Sequence, residues 1–441
     1  MLFLPGRRVA VAVALLLVST VACGGGQGER AHKPASQGSK QPAPGDGVTV
    51  SAKPDPLTAH DPPTKFSPGA YLPLAKGGLD VIALDGRKAY TYGTDSGVIV
   101  ALDLATGDQV GEGARPQGNL PDRYGESGED DEAPLCEQHP PAVGTTGSTR
   151  IAVGVFPTVA EGTGTTADTS TYELVALDTQ TGEAAWNAPL GISVGGDFCH
   201  VAGISGGVAV VVLGGSFGPP NTYGVDLQSG KVVWTAEQFE AQSVQGAHVV
   251  GVDSSGDGGV VVALDPATGR TQWRAVDASA SAEFEVTRFS AESVLVRNRD
   301  YSELSTVLRL KDGQQVDVVG MGERLHEVRR CLYDLQTRTL CFSYTTAGGE
   351  LAAYEAKSGK LLWRLGGPDG VPGRVAPDLV GAFHGAVYGN VLRDDGTAEP
   401  IVLDGATGAD RELSPGAAPS LVNEYVGLTA ERDGSLYRAV G

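Results

Sequence analysis

All four tryptophans of the chain stand at one phase of a repeated motif, and no other feature limits the fold as tightly. Two clean copies read Ala176-Leu177-Asp178-Thr179-Gln180-Thr181-Gly182-Glu183-Ala184-Ala185-Trp186 and Ala263-Leu264-Asp265-Pro266-Ala267-Thr268-Gly269-Arg270-Thr271-Gln272-Trp273. Trp234 follows Asp226 by eight residues and Trp363 follows Glu355 by eight, each with Ser-Gly in the turn. Copies without the tryptophan occur at residues 103–107, around Gly313 and at 404–408. The motif glycines are Gly107, Gly182, Gly230, Gly269, Gly313, Gly359 and Gly408, so most intervals run from 39 to 49 residues. A period of about 40 built from short strands means propeller blades rather than stacked helical repeats.

Each copy reads as strand, tight turn, strand. The run Val260-Val261-Val262-Ala263-Leu264 is apolar throughout, as expected of a strand covered on both faces. The motif Asp can bond nearby backbone amides, and the Gly supplies the positive φ that a short bulged hairpin needs. The tryptophan then falls on a blade's outermost strand, where its ring can cover the gap to the next blade and its N–H can reach a carbonyl. Their shared phase makes Trp186, Trp234, Trp273 and Trp363 structural docking residues rather than ligand-stacking ones. Further hairpin turns are expected at 93–97, 253–258, 347–349, 394–396 and 433–434, and innermost strands at 78–83, 136–143, 199–202 and 378–382. Seven repeats are complete, while 421–440 holds three strands without a fourth. A strand within 66–75 would supply the fourth and close the ring. The expectation is therefore an all-β, single propeller of four-stranded blades, eight in number, with seven as the runner-up.

Ahead of the repeats, residues 1–22 have the order of a signal peptide: Arg7 and Arg8, an apolar run too short to span a bilayer permanently, then small residues. Thr20-Val21-Ala22-Cys23 resembles a bacterial lipobox, which would make Cys23 the lipidated first residue of the mature chain. Thr20 stands where such boxes usually carry Leu, so ordinary cleavage and secretion is the alternative. Residues 23–66, rich in Gly, Pro, Ser, Lys and Gln, read as a lipidated Cys and flexible linker. Residues 67–441 read as the propeller domain. The expected location is the extracytoplasmic face of the cell membrane.

Four further cysteines are an even number for an oxidising compartment. Cys331 and Cys341 bracket a hairpin, and Cys136 and Cys199 fall on expected innermost strands of successive blades. The favoured pairs of the three possible sets are 331–341 and 136–199. A metal set of Cys136, His139, Cys199 and His200 has spacings unlike known zinc modules, so no metal is assigned. The net charge of −20 becomes −22 once Arg7 and Arg8 are cleaved away, which disfavours nucleic acid and anionic lipid. Acidic residues crowd into 122–137, inside the one long interval of 75 residues between Gly107 and Gly182. A solvated loop insertion accounts for both the length and the charge, since no calcium-loop spacing is present.

The Ala-x-Asp-x-x-Thr-Gly-x-x-x-Trp pattern resembles the tryptophan-docking repeat of pyrroloquinoline-quinone-type propellers, over roughly residues 75–441. The resemblance implies one of two branches. Quinoprotein dehydrogenases hold the quinone and calcium inside the ring beside a disulfide of adjacent cysteines, and this chain has no Cys-Cys pair. Non-catalytic envelope lipoproteins, including the propeller component of the outer-membrane β-barrel assembly machinery, share the plan of signal, lipobox, tether and one propeller. A composition heavy in Ala, Gly, Val and Arg points to a GC-rich actinobacterium, so only the scaffold idea carries over. No nucleophile motif stands in a strand-turn-helix setting, Gly214-Gly215-Ser216 falls in a hairpin, and His248 and His384 sit near turns. The expectation is a non-catalytic, monomeric binding module without cofactor, whose partner is another envelope protein, peptide or glycan. A quinone-dependent dehydrogenase, or a sensor or accessory subunit of a transporter or kinase, are the alternatives.

Overall fold

The computed structural model describes residues 56–69, 72–73, 82–93, 97–121, 139–192, 198–214, 218–256, 258–277, 284–298, 305–318, 328–345, 348–393, 395–429 and 435–441. The signal peptide, Cys23, most of the expected linker, Cys136 and the acidic 122–137 segment lie outside them. So do parts of the expected turns and of the strand at 78–83.

Within the described residues there are strands and no helix. They form eight antiparallel sheets, seven of them running from inside to outside in chain order. Blades 1 to 7 span residues 83–114, 142–189, 198–236, 239–277, 284–315, 328–366 and 378–412. In blade 5 the fourth strand shrinks to a single bridge between Leu308 and Gln315. Blade 8 takes three strands from 421–438 and its outer strand from the N-terminal side, where Leu72 pairs with Leu436 and Pro73 with Ser435. This closes the ring at eight blades and removes the seven-bladed alternative.

The innermost strand of each blade touches that of its neighbour from blade 1 through blade 8. The core is thus not one mass but a series of seams between facing sheets. Tyr90 and Ile99 of blade 1 pack with Phe156 and Val175 of blade 2, for example. Ala89 of blade 1 meets Val426 and Leu428 of blade 8, completing the circle. Strands buried on both faces lose the usual alternation, and all seven residues of Val208–Gly214 are buried.

The motif turn works as a small hydrogen-bonded unit. The Asp178 carboxylate accepts the amides of Gln180 and Thr181 at 2.8 and 2.9 Å, and the Asp265 carboxylate accepts those of Ala267 and Thr268 at 3.1 and 2.9 Å. The motif glycines all have φ between 66° and 78°, the left-handed region where a Cβ is costly. Gly269 shows a second reason for glycine, since a Cβ there would lie 2.7 Å from the Trp234 ring. The bulge that follows each turn appears as register shifts at Ala176/Leu177, Ala263/Leu264 and Ala353/Tyr354.

Three tryptophans dock by one rule. The indole N–H of each donates to the carbonyl of the residue just after the motif's Asp position in the next blade. Trp234 reaches Pro266 at 2.8 Å, Trp273 reaches Leu310 at 2.6 Å, and Trp363 reaches Gly405 at 2.9 Å. Trp186 departs from the rule. It packs at the blade 2–3 seam but is only half-buried, and its buried indole nitrogen has no hydrogen-bond partner among the described residues. The slot over Gly230 is taken by the Ala188 side chain, 2.7 Å from where a Cβ would stand. Joints without tryptophan are filled by the chain itself: Gly113 N–H donates to the Gly182 carbonyl, and Val318 is buried beside Gly359.

The expected linker ends sooner than its composition suggested. Residues 56–66 lie on the ring, with Leu57 and Phe66 buried. The Phe66 ring meets Tyr388 edge-on at 5.9 Å, and the Tyr388 hydroxyl donates to the Pro63 carbonyl at 2.7 Å. Two apolar anchors among prolines and polar residues were enough to order a stretch that reads as tether. The long interval before Gly182 is also not all loop: blade 2 extends its second and third strands to Thr149–Ala160 and Thr169–Asp178.

Candidate functional site

Four arginines gather where blades 5 and 6 meet, in a chain whose net charge is −20. The innermost strands Phe284–Arg288 and Val328–Tyr333 and the second strand Ser293–Asn298 line a cavity of about 330 Å³. Its walls carry Arg288, Arg297, Arg329 and Arg330, with Glu285 as the opposing charge and Cys331 and Tyr333 beside them. A register shift between Val328 and Arg330 is what exposes two consecutive arginines on one strand, since a bulge breaks the alternation that would bury one of them.

The arginines differ in how well they are compensated. Arg297 pairs with Glu285 and donates to the backbone carbonyls of Val328 and Arg329. Arg288 lies over the Tyr333 ring at 4.9 Å, a cation–π contact. Arg330 has one long contact, 3.5 Å to the Leu379 carbonyl, and loss of water lowers its guanidinium below the usual arginine value. Arg329 has no side-chain hydrogen bond or ion pair among the described residues. Among the described residues such a site is short of negative charge and suits planar, bidentate carboxylate or phosphate groups.

The Cys331–Cys341 disulfide, with Cα atoms 4.1 Å apart, ties the pocket's strand to the next strand of blade 6. Cys199 is also disulfide-bonded, to a partner outside the described residues. Its sulfur is therefore not free as a thiolate, which removes the four-membered Cys/His metal set. The two histidines of that set do meet: His139 and His200 stack at 4.2 Å with Phe198 edge-on to both. Burial, with a smaller push from His139, lowers His200 to about 3, so both rings are neutral spacers at ordinary pH. His248 contacts Gln272 at 2.5 Å on the surface. Sequence reasoning missed the arginine pocket; the adjacent pair Arg329-Arg330 was the only local sign of it.

Residues 170–330 match the family model described as outer membrane protein assembly factor BamB. No curated protein matches the chain. Among solved structures, a europium-containing methanol dehydrogenase aligns at 12% identity and TM-score 0.44, covering 83% of this chain and 84% of that one. The dihydro-heme d1 dehydrogenase NirN aligns at 14% identity and TM-score 0.40, covering 76% of this chain and 65% of that one. The β-propeller domain of Cps50 (Swd1) from Myceliophteria thermophila aligns at 11% identity and TM-score 0.34, covering 62% and 93%.

Proposed function

We propose, taking an eight-bladed propeller of pyrroloquinoline-quinone-type repeats as the premise, that the chain is a non-catalytic binding module on the outer face of the membrane. Its ligand is a carboxylate-bearing segment of another envelope protein, held by the arginine pocket between blades 5 and 6. The observation that carries this is Arg329, without an ion pair among the described residues, exposed beside Arg330 in an otherwise acidic molecule. An acidic surface repels most anionic partners at long range, while one cationic cavity selects those able to reach it.

The test is crosslinking in intact cells, comparing the natural chain with Arg329→Glu/Arg330→Glu. A partner should be captured by the former and lost by the latter, with the folded fraction unchanged. An unchanged set of adducts contradicts the assignment of the pocket, and a glycan adduct would redirect the ligand class. The anchor has its own test: Cys23→Ser should release the protein into the medium or leave the signal uncleaved. Membrane retention with a normally cleaved N-terminus would contradict lipidation.

The dehydrogenase reading requires calcium and a quinone in the ring. Among the described residues the one group of three metal-ligating side chains is Asp61, His384 and Glu424, set around blades 7 and 8. Adding the quinone with calcium decides the matter, because a bound chromophore with dye-linked alcohol oxidation would overturn the binding-module reading.

A further inference from the structure

Asp61, His384 and Glu424 each offer one ligating atom, and the three atoms lie within 4.8 Å of one another. They come from three separate places. Asp61 belongs to the segment ahead of the ring-closing strand. His384 sits in the turn between the strands Asp378–Phe383 and Ala386–Leu392. Glu424 lies in the turn between Leu421–Val422 and Val426–Thr429 of the last blade.

The three are held in place by contacts other than their own. His384 has φ 42°, a left-handed backbone that a non-glycine residue adopts at a cost. Its N–H donates to the Asp334 carbonyl at 2.8 Å, and its ring stacks on buried Phe383 at 3.8 Å. The Glu424 carbonyl accepts the His60 N–H at 2.8 Å, which pins the backbone next to Asp61. The Asp61 carboxylate contacts His384 Nδ1.

We propose that these residues form a one-histidine, two-carboxylate site for a divalent metal of the zinc class, with water as the fourth ligand. The imidazole decides the class. Calcium and magnesium take all-oxygen shells, whereas zinc accepts mixed nitrogen and oxygen ligands in a tetrahedron. Tetrahedral bonds of about 2.0–2.2 Å set ligand atoms roughly 3.4 Å apart, so the Asp61–His384 contact must open to admit the ion, which the partial exposure of these side chains permits. The bound ion would stitch the N-terminal segment to blades 7 and 8 where the ring closes.

The experiment uses the full chain, stripped with chelator, then titrated with zinc chloride by calorimetry and followed by thermal unfolding. One equivalent should bind and raise the midpoint, and magnesium and calcium should not. Cobalt chloride should give the visible absorption of a tetrahedral ion, a signal that a merely structural hydrogen bond would not produce. His384→Gln, and separately Asp61→Asn/Glu424→Gln, should weaken zinc at least about tenfold, as loss of a ligand exceeds the 10–100-fold typical of supporting residues. Both variants replace surface side chains, and circular dichroism checks their folding. Equal zinc binding in natural chain and variants, or none in either, overturns the proposal. A midpoint raised by calcium instead of zinc overturns the metal class.

Discussion

At the scale of single residues, the docking tryptophans separate into two kinds. Trp273→Ala should cost about 3–5 kcal/mol, because truncating a large buried aromatic leaves a cavity. Trp273→Phe should still cost about 1–3 kcal/mol, since it orphans the buried Leu310 carbonyl. Trp186→Phe loses no hydrogen bond and should be close to neutral in urea unfolding; an equal cost for both Phe variants would contradict the distinction. The motif made all four tryptophans legible as docking residues, but not this exception, because Ala188 fills the Gly230 slot only in three dimensions. Protonation gives a second readout. The Thr181 amide holds Asp178 below the usual carboxylate range, and the Ser229 hydroxyl does the same for Asp226. Their stabilisation is present above the ordinary Asp value and lost as pH falls through the lowered one. His200 behaves alike for a different reason: buried and neutral, it takes its proton only near about 3, whereas the unfolded ring takes it near 6.5. Stability should therefore be full above that higher value and decline as pH falls below it. His200→Phe should flatten the decline between about pH 4 and 6.5 while leaving the acid limb of the carboxylates. A thermal-midpoint profile unchanged by this variant would contradict the buried-neutral account.

At the scale of elements, two devices hold strands in place that propensity alone would not. The Cys331–Cys341 bridge spans ten residues and should contribute roughly 3 kcal/mol by loop entropy. The double serine variant should lose about that much in denaturant unfolding without loss of the fold. Phe66, 3% exposed, anchors the segment before the closing strand, and Phe66→Ala should cost about 3–5 kcal/mol. A surface-like value below about 0.5 kcal/mol would mean the segment is not part of the folded unit. Hairpins with Asp, Gly and a fixed phase were readable along the chain, because turn chemistry is local. The seating of 56–66 was not, since it depends on Tyr388 and Val402, more than three hundred residues away. The long second hairpin of blade 2 was hidden for a related reason. Strand length past the repeat is set by what covers it, and Asn119 pairs with Val159 from outside the blade.

For the whole molecule, stability is shared around a ring of unequal joints. Joints 1–2, 5–6 and 7–8 have Gly111, Asp317 and Glu412 at the tryptophan position, and joint 8–1, closed by Leu72–Pro73, has no tryptophan either. Hydrogen exchange should be faster there than at the joints closed by Trp234, Trp273 and Trp363, and uniform protection would show that the tryptophans do not set local stability. The arginine pocket sits at one of the softer joints, 5–6, where adaptability to a ligand is least costly. Its members were not legible as a site because nothing in the primary structure joins Arg288 to Arg330; the meeting of two innermost strands does. The eighth blade carries a consequence in time rather than in space. Leu72 pairs with Leu436, so a chain emerging N-terminus first remains an open arc until Ser435 and Leu436 have appeared. Both ends of that arc are unpaired strand edges, the surfaces most prone to wrong association, and pairings so distant in sequence are slow to form. The clasp therefore also acts as a checkpoint: a product cut short before Ser435 would keep seven blades and still never shut.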